Sequence, residues 1–221
     1  MSTLQNELVR LDDRIGVDIS DASDFDEVMK LAGFDFDVEK VPAHTPEGDE
    51  VPGYFLIRRT DTLQNFAVMR KRYTSIPMDE MFRPFHEMVQ EFNAEYEGAG
   101  LIDGGKKTWI SARLPNSFAL KSRPDDKVNN RIMALGTNDG TKRNAYFGMI
   151  ERIFCNNQIR TIMKSANESD YWISHTKNWE NRLQQAQEGF YAALKGLQTF
   201  EKTANELDKI RMTSQGVLNE S

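Results

Sequence analysis

A chain of 221 residues, 39% hydrophobic and 28% charged, suits one sizeable domain or a domain with helical appendages, of ordinary soluble composition. No apolar run approaches the ~18 residues of a membrane span, the opening MSTLQNELVRLDDR lacks the basic and apolar regions of a signal peptide, and the one cysteine, Cys155, has no partner for an internal disulfide. These features argue against secreted and membrane classes and for a reducing cytoplasm. The net charge of −6 is uneven: residues 1–53 hold 4 Lys/Arg against 14 Asp/Glu, residues 54–160 hold 17 against 12, and residues 161–221 hold 7 against 8. An acidic leader thus precedes a basic middle, which is either a solvated acidic surface beside an ordinary domain or a polyanion groove screened by its own leader.

In chain order, Ser23-Asp24-Phe25-Asp26-Glu27 opens a short helix that ends at Gly33. Pro42, Pro46, Gly48, Pro52 and Gly53 make residues 35–53 read as a loop or linker. YFLIRRT (54–60) and NFAVMRKRY (65–73) predict a hairpin. Met78, Met81, Phe82, Phe85, Met88, Val89 and Phe92 share one helical face, with Pro84 predicting a kink or a late start. The Met-rich face suits a core, where methionine fills irregular gaps. AEYEGAGLI and KKTWISARL flank Asp103-Gly104-Gly105, and NRIMALG and RNAYFGMIERIF flank Asn138-Asp139-Gly140. Both turns accept positive φ, so two further hairpins are expected. A helix from Cys155 to about Lys164 and a long one from about Lys177 complete the chain.

In the long helix Trp179, Leu183, Ala186, Phe190, Ala193, Leu197, Phe200, Ala204 and Leu207 alternate at intervals of four and three, a heptad pattern. That pattern allows self-association through Trp179, Leu183, Phe190, Leu197, Phe200 and Leu207, or packing back onto the sheet. The expected fold is α+β: an antiparallel β-sheet built from hairpins with a covering helix, plus a long C-terminal helix. Residues 1–53 are an acidic helical leader and linker, 54–165 the α+β core, and 166–221 the long helix and tail.

Chemistry is sparse. A nucleophilic Cys155 needs a base, and the histidines are His44, His86 and His175. A Cys155–His175 thiol pair is the minor alternative to a buried structural thiol, since free cysteine is commonly buried. No zinc-ligand spacing occurs, and Asp125, Asp126 and Asp139 fall in turns where aspartate serves the backbone. There is no phosphate-loop, dinucleotide or hydrolase motif, so neither a metal nor a cofactor is expected. What remains is cations with aromatics on strands. Alternation puts Thr108, Ile110, Ala112 and Leu114 on one face of a strand, with Lys107, Trp109, Ser111 and Arg113 on an exposed one. Arg58, Arg59, Arg70, Lys71, Arg72 and Tyr73 crowd the ends of the first two strands, and Lys142 and Arg143 follow the third turn. Cations that track phosphates and rings (Trp109, Tyr73) that stack on bases are what single-stranded nucleic-acid binding requires. The plainer account is that such cations keep edge strands from aggregating.

The blocks IRRTDT, VMRKRYTSIP, GGKKTWISARLP, TNDGT, IERIFCNN and ISHTKN, in that order between about Tyr54 and Gln187, resemble a phage- and plasmid-borne family of unknown function. That family often has histidine where this chain has Asn138, a valine-rich approach to the Arg and Cys where it has Ile150 to Phe154, and Asn-Thr-Leu where it has Asn157-Gln158-Ile159. These departures argue against Asn138 or the thiol being indispensable for catalysis. The resemblance implies a mobile-element origin and a host-cytoplasmic location. The order of hairpin, helix and hairpin is similar, as a fold only, to phage single-strand annealing proteins, which form rings or filaments on DNA. The leading expectation is a non-enzymatic phage protein that binds single-stranded nucleic acid, in annealing, recombination or replication, as a homo-oligomer. The alternative is a module that engages a host or phage protein through the acidic leader or the long helix.

Overall fold

The computed structural model describes residues 16–115, 129–151 and 169–196. Its architecture is α+β, as expected. Strands β1 (Val17–Asp18), β5 (Glu95–Ile102), β6 (Lys107–Arg113), β7 (Asn129–Thr137), β8 (Asn144–Glu151) and β9 (Trp172–Ile173) form one antiparallel sheet in the order β1-β5-β6-β7-β8-β9. A second antiparallel sheet has the order β2-β3-β4, from Val38–His44, Glu50–Arg59 and Asn65–Arg70. The helices are α1 (Phe25–Leu31), α2 (Met78–Glu91) and α3 (residues 179–196).

Local chemistry accounts for the elements that were legible. Helix α1 starts where the Asp24 carboxylate accepts the Glu27 N–H at 2.9 Å, while Glu27 reaches back to the Ser23 N–H and hydroxyl at 2.8 and 2.7 Å. These bonds satisfy donors that the helix itself leaves open. It ends at Leu31 with Ala32 as the cap, and Gly33 just beyond turns the chain with a φ of +67°. The three hairpins form at the expected turns, and Gly104, Gly105 and Gly140 supply φ of +70°, +106° and +63°.

Helix α2 runs without a late start through Pro84, which is buried with Met78, Met81, Phe82, Phe85, Met88 and Val89. That face makes core, with Phe82 stacked on Phe34 at 4.6 Å.

Two expectations are corrected, and one of two open alternatives is chosen. Residues 35–53 are not a loop, because β2 pairs with β3 from Val38↔Arg59 to His44↔Glu50. As an edge strand β2 tolerates Pro42, whose missing N–H breaks no ladder inside the sheet. The acidic leader also contributes Ile19, Phe25, Val28, Met29, Phe34 and Phe36 to the same core as the sheets.

Second, α3 uses its apolar face within the chain. Leu183, Ala186, Phe190 and Leu194 are buried in the core and Trp179 packs against it, whereas Ala193 is exposed. The buried spacing is that of an ordinary amphipathic helix on a sheet, not a heptad seam. Trp179, Leu183 and Phe190 are therefore taken, and Leu197, Phe200 and Leu207 lie outside the described residues.

Third, β6 is covered on both faces. Trp109 and Ser111 are 0% exposed, like Thr108 and Ala112 on the other side. Trp109 pairs in register with Leu135 and lies against Gly16, where an added Cβ would stand 2.5 Å from the indole. The ring expected on an open face is buried. Cys155 and its helix fall outside the described residues. Among the described residues no helix is long and apolar enough to cross a membrane.

Candidate functional site

The cations of the two sheets meet carboxylates. Arg58 faces Glu39 across the β2–β3 ladder at 2.7 Å. Arg59 grips Asp61 with two bonds of 2.7 and 2.8 Å, donates to the Gly104 carbonyl at 2.9 Å, and lies 3.9 Å above the Phe36 ring. Arg113 pairs with Glu95 at 2.5 Å, Lys107 with Asp139 at 3.5 Å, and Arg131 with Glu97 at 2.6 Å. Opposite charges directly across strands stabilise the ladder, as Arg58–Glu39 and Arg113–Glu95 do here, and the remaining cations are engaged by carboxylates elsewhere. Arg58, Arg59, Lys107, Trp109 and Arg113 do not make a shared open surface.

A different set converges where the end of β4 meets the β7–β8 turn. The Tyr73 ring stacks on His175 at 4.8 Å with 17° between planes. The imidazole reaches two strand ends: Nδ1 is 3.3 Å from the Thr74 carbonyl and Nε2 is 3.2 Å from the Thr137 hydroxyl. The backbone repeats the tie, with Thr74 N–H donating to the His175 carbonyl at 3.0 Å. Thr137 in turn donates its hydroxyl to the Lys142 carbonyl at 2.7 Å and its N–H to Asn144 Oδ1 at 2.7 Å.

Asn138 donates to the Gly105 carbonyl at 2.9 Å, and the Asp139 carboxylate accepts the Thr141 N–H and hydroxyl at 3.0 and 2.7 Å. The TNDGT turn is thus fixed by its own side chains. Burial pushes the His175 imidazole down to about 4, against smaller opposing contributions from the Thr74 carbonyl and Asp139. At neutral pH it is an uncharged ring held between the Thr74 carbonyl and the Thr137 hydroxyl. Of the other histidines, His86 bonds the Tyr96 hydroxyl at 2.7 Å and His44 is exposed on β2.

A cavity of about 230 Å³ opens here, lined by Tyr73, Gly140, Thr141, Lys142, Arg143, Ser174 and His175. Burial raises the Tyr73 phenol far above its ordinary value, with the Asp139 charge adding to the effect, and its hydroxyl is buried with no hydrogen-bond partner. Arg70, Lys71 and Arg72, all exposed, lead into Tyr73. The Arg70 guanidinium lies 5.5 Å from the Tyr54 ring centre. Arg143 and Arg182 lie 3.9 and 5.0 Å from the centre of the Trp172 ring. The Lys40 ammonium donates to the carbonyls of Lys71 and Tyr73 at 2.8 and 2.6 Å. Its pKa is lowered by desolvation first and by the Lys71 charge second.

Of the expected binding residues, Arg143 lines this cavity, and Arg70, Lys71 and Arg72 are exposed in the stretch that leads to Tyr73. Tyr73 joins them, but its ring is spent on His175 and does not offer a face to a base. Sequence reasoning missed Lys40, Trp172 and Arg182. The TNDGT and ISHTKN blocks were the available signal, because both end at this cavity.

A second cavity of about 400 Å³ lies between α1, α2 and the segment joining α1 to β2. Its floor includes Phe25, Phe34 and Phe36, and its rim carries Asp26, Asp35, Asp37 and Asp79 with Arg83. Among the described residues no three His, Cys, Asp or Glu side chains are grouped to hold a metal ion.

A family model described as Domain of unknown function (DUF932) matches residues 65–219. No match to this chain was found among curated proteins or among solved structures. The matched region begins with β4 and takes in Tyr73, the TNDGT turn and His175, while β1 to β3 and α1 precede it. The chain belongs to the DUF932 family.

Proposed function

We propose that this DUF932 protein is a non-enzymatic single-stranded nucleic-acid-binding protein of a mobile genetic element, acting in the host cytoplasm as an accessory of annealing, recombination or replication. One observation supports the reading: Arg143 and Arg182 both lie over the Trp172 ring, and Arg143 lines a cavity together with Lys142 and Tyr73, the residue that follows the exposed run Arg70, Lys71 and Arg72. Such cations track phosphates and release counterions, and adjacent rings take bases that a duplex would keep stacked. The mobile-element origin is supported by the order of the sequence blocks, and the non-enzymatic character by the use of His175 as a structural tie. The test is anisotropy of a labelled oligonucleotide, single-stranded against duplex, at low and moderate salt. Salt-sensitive binding that favours the single strand supports the reading, and absence of binding at low salt refutes it.

The acidic cavity favours a second reading, a protein-interaction module. Its aromatic floor and rim of Asp26, Asp35, Asp37 and Asp79 suit a segment with an apolar anchor flanked by Lys or Arg. In that case a Asp26→Asn/Asp35→Asn/Asp37→Asn variant loses a protein partner while nucleic acid binds neither form.

A further inference from the structure

We propose that the open edge of β4 takes an added β-strand from a partner protein, an extended segment with apolar residues at alternate positions and carboxylates at one end. The inference goes beyond the nucleic-acid reading and does not rest on it. The two edges of the three-stranded sheet are built differently. β2 has the features that keep an edge from pairing: Pro42 lacks an N–H, the register shifts between Pro42 and His44, and Glu39 and Lys40 put charge along the strand. β4 has no proline, no charge from Asn65 to Met69, and its register shift falls at Phe66, near its start. Among the described residues the backbone of Ala67 to Met69 makes no hydrogen bond outside the β3–β4 ladder. An edge of donors and acceptors is thus open to another strand.

The side chains beside that edge set what the strand carries. Ile57 is buried in the core, so its neighbour Leu56 points to the opposite face of β3, in register with Val41 on one side and Val68 on the other. Val68, 56% exposed, ends this row at the open edge. An apolar side chain opposite it on an added strand continues the row.

Past Arg70, which donates to the Tyr54 hydroxyl, Lys71 and Arg72 are exposed and their side chains have no partner among the described residues. Carboxylates at that end of the added strand meet them. A second copy of the chain supplies none: paired antiparallel about Val68, its Asn65 and Gln64 face Lys71 and Arg72. Lys71 and Arg72 also belong to the run assigned above to nucleic acid, so strand and nucleic acid exclude one another wherever both bind.

The experiment follows the anisotropy of a labelled peptide, Asp-Asp-Val-Thr-Val-Thr-Val, against the whole protein. Two further peptides are N-methylated at the valines or at the threonines, since only one of these sets faces β4 in a ladder. One is expected to bind about tenfold more weakly than the parent, the scale of two ordinary hydrogen bonds, and the other nearly as well. Val68→Lys, at an exposed position, weakens the parent peptide. Changing the peptide's aspartates to asparagine, or Lys71→Gln/Arg72→Gln, costs about two- to fivefold, the scale of exposed ion pairs, and both changes together cost no more than either alone. Peptide binding without oligonucleotide binding leaves the strand site standing and removes the nucleic-acid reading. Equal binding of the two methylated peptides, or no peptide binding while the oligonucleotide binds, overturns the strand site. Val68-dependent self-association in sedimentation without peptide binding gives the edge to a second copy and overturns it as well.

Discussion

The cations of β3 and β6 and those from the β4 end to the β7–β8 turn differ in company. On the sheets, Arg58, Arg59 and Arg113 each lie against a carboxylate, and the only tryptophan among them is fully buried. At the β4 end, Arg70 lies near Tyr54 while Arg143 and Arg182 lie near Trp172, and Lys40 is pressed among carbonyls beside Lys71. The first arrangement spends charge on holding strands together. The second sets guanidinium groups against aromatic rings, an arrangement that a polyanion can use. Counting cations along a strand does not separate these cases; the residue across the ladder does.

The sharpest way to break the comparison is through its two tryptophans. Trp109→Ala empties a fully buried site, so it should cost about 3–5 kcal/mol of stability in urea denaturation, while the surviving folded fraction binds oligonucleotide normally. Trp172→Ala should do the opposite, leaving the urea midpoint nearly unchanged and weakening oligonucleotide binding by about 1–3 kcal/mol. If Trp109→Ala abolished binding in fully folded protein, the assignment of roles would be reversed.

Next in size is the ion pair between Glu97 and Arg131, which is only 4% exposed. Glu97→Ala strips the guanidinium of its bidentate carboxylate at 2.6 and 3.1 Å. The expected loss is about 3 kcal/mol, the low end for a broken buried pair because Glu97 keeps some solvent, with no change in binding.

The pin at the other end should show itself in pH. The folded-state value of His175, about 4, lies below the ordinary 6.5, so the unfolded chain binds the proton more readily. Stability is therefore complete above about pH 6.5 and declines as pH falls towards 4, by about 3 kcal/mol in all. Urea midpoints between pH 4 and 8 measure this, and His175→Gln should flatten that part of the slope. An unchanged slope would mean that His175 is not the buried neutral pin.

Much of the fold was legible because it is written locally. The Asp103-Gly104-Gly105 and Asn138-Asp139-Gly140 turns demand positive φ, and the spacing of Met81, Phe85 and Met88 demands a buried helical face. β2 was hidden by prolines that an edge strand tolerates. Leu194 instead of Ala193 facing the core distinguishes a helix lying on a sheet from a heptad seam, and spacing alone did not settle it. The site was less legible still. Alternation assigns Trp109 to a face but cannot say that the face is covered. Tyr73 and His175 are about a hundred residues apart, and their stack depends on tertiary structure that neither local motif reports.

The most direct measurement compares two triple variants with the unaltered protein for single-stranded oligonucleotide affinity as a function of salt. Arg70→Gln/Lys71→Gln/Arg72→Gln should lower affinity severalfold or more and reduce the slope of log K against log salt by about 2, at ~0.7 per lost phosphate contact. Arg58→Gln/Arg59→Gln/Arg113→Gln, which removes as much charge from the paired set, should leave the slope nearly unchanged. Equal losses from both variants, or a loss confined to the second, would contradict the placement of the binding surface at the β4 end.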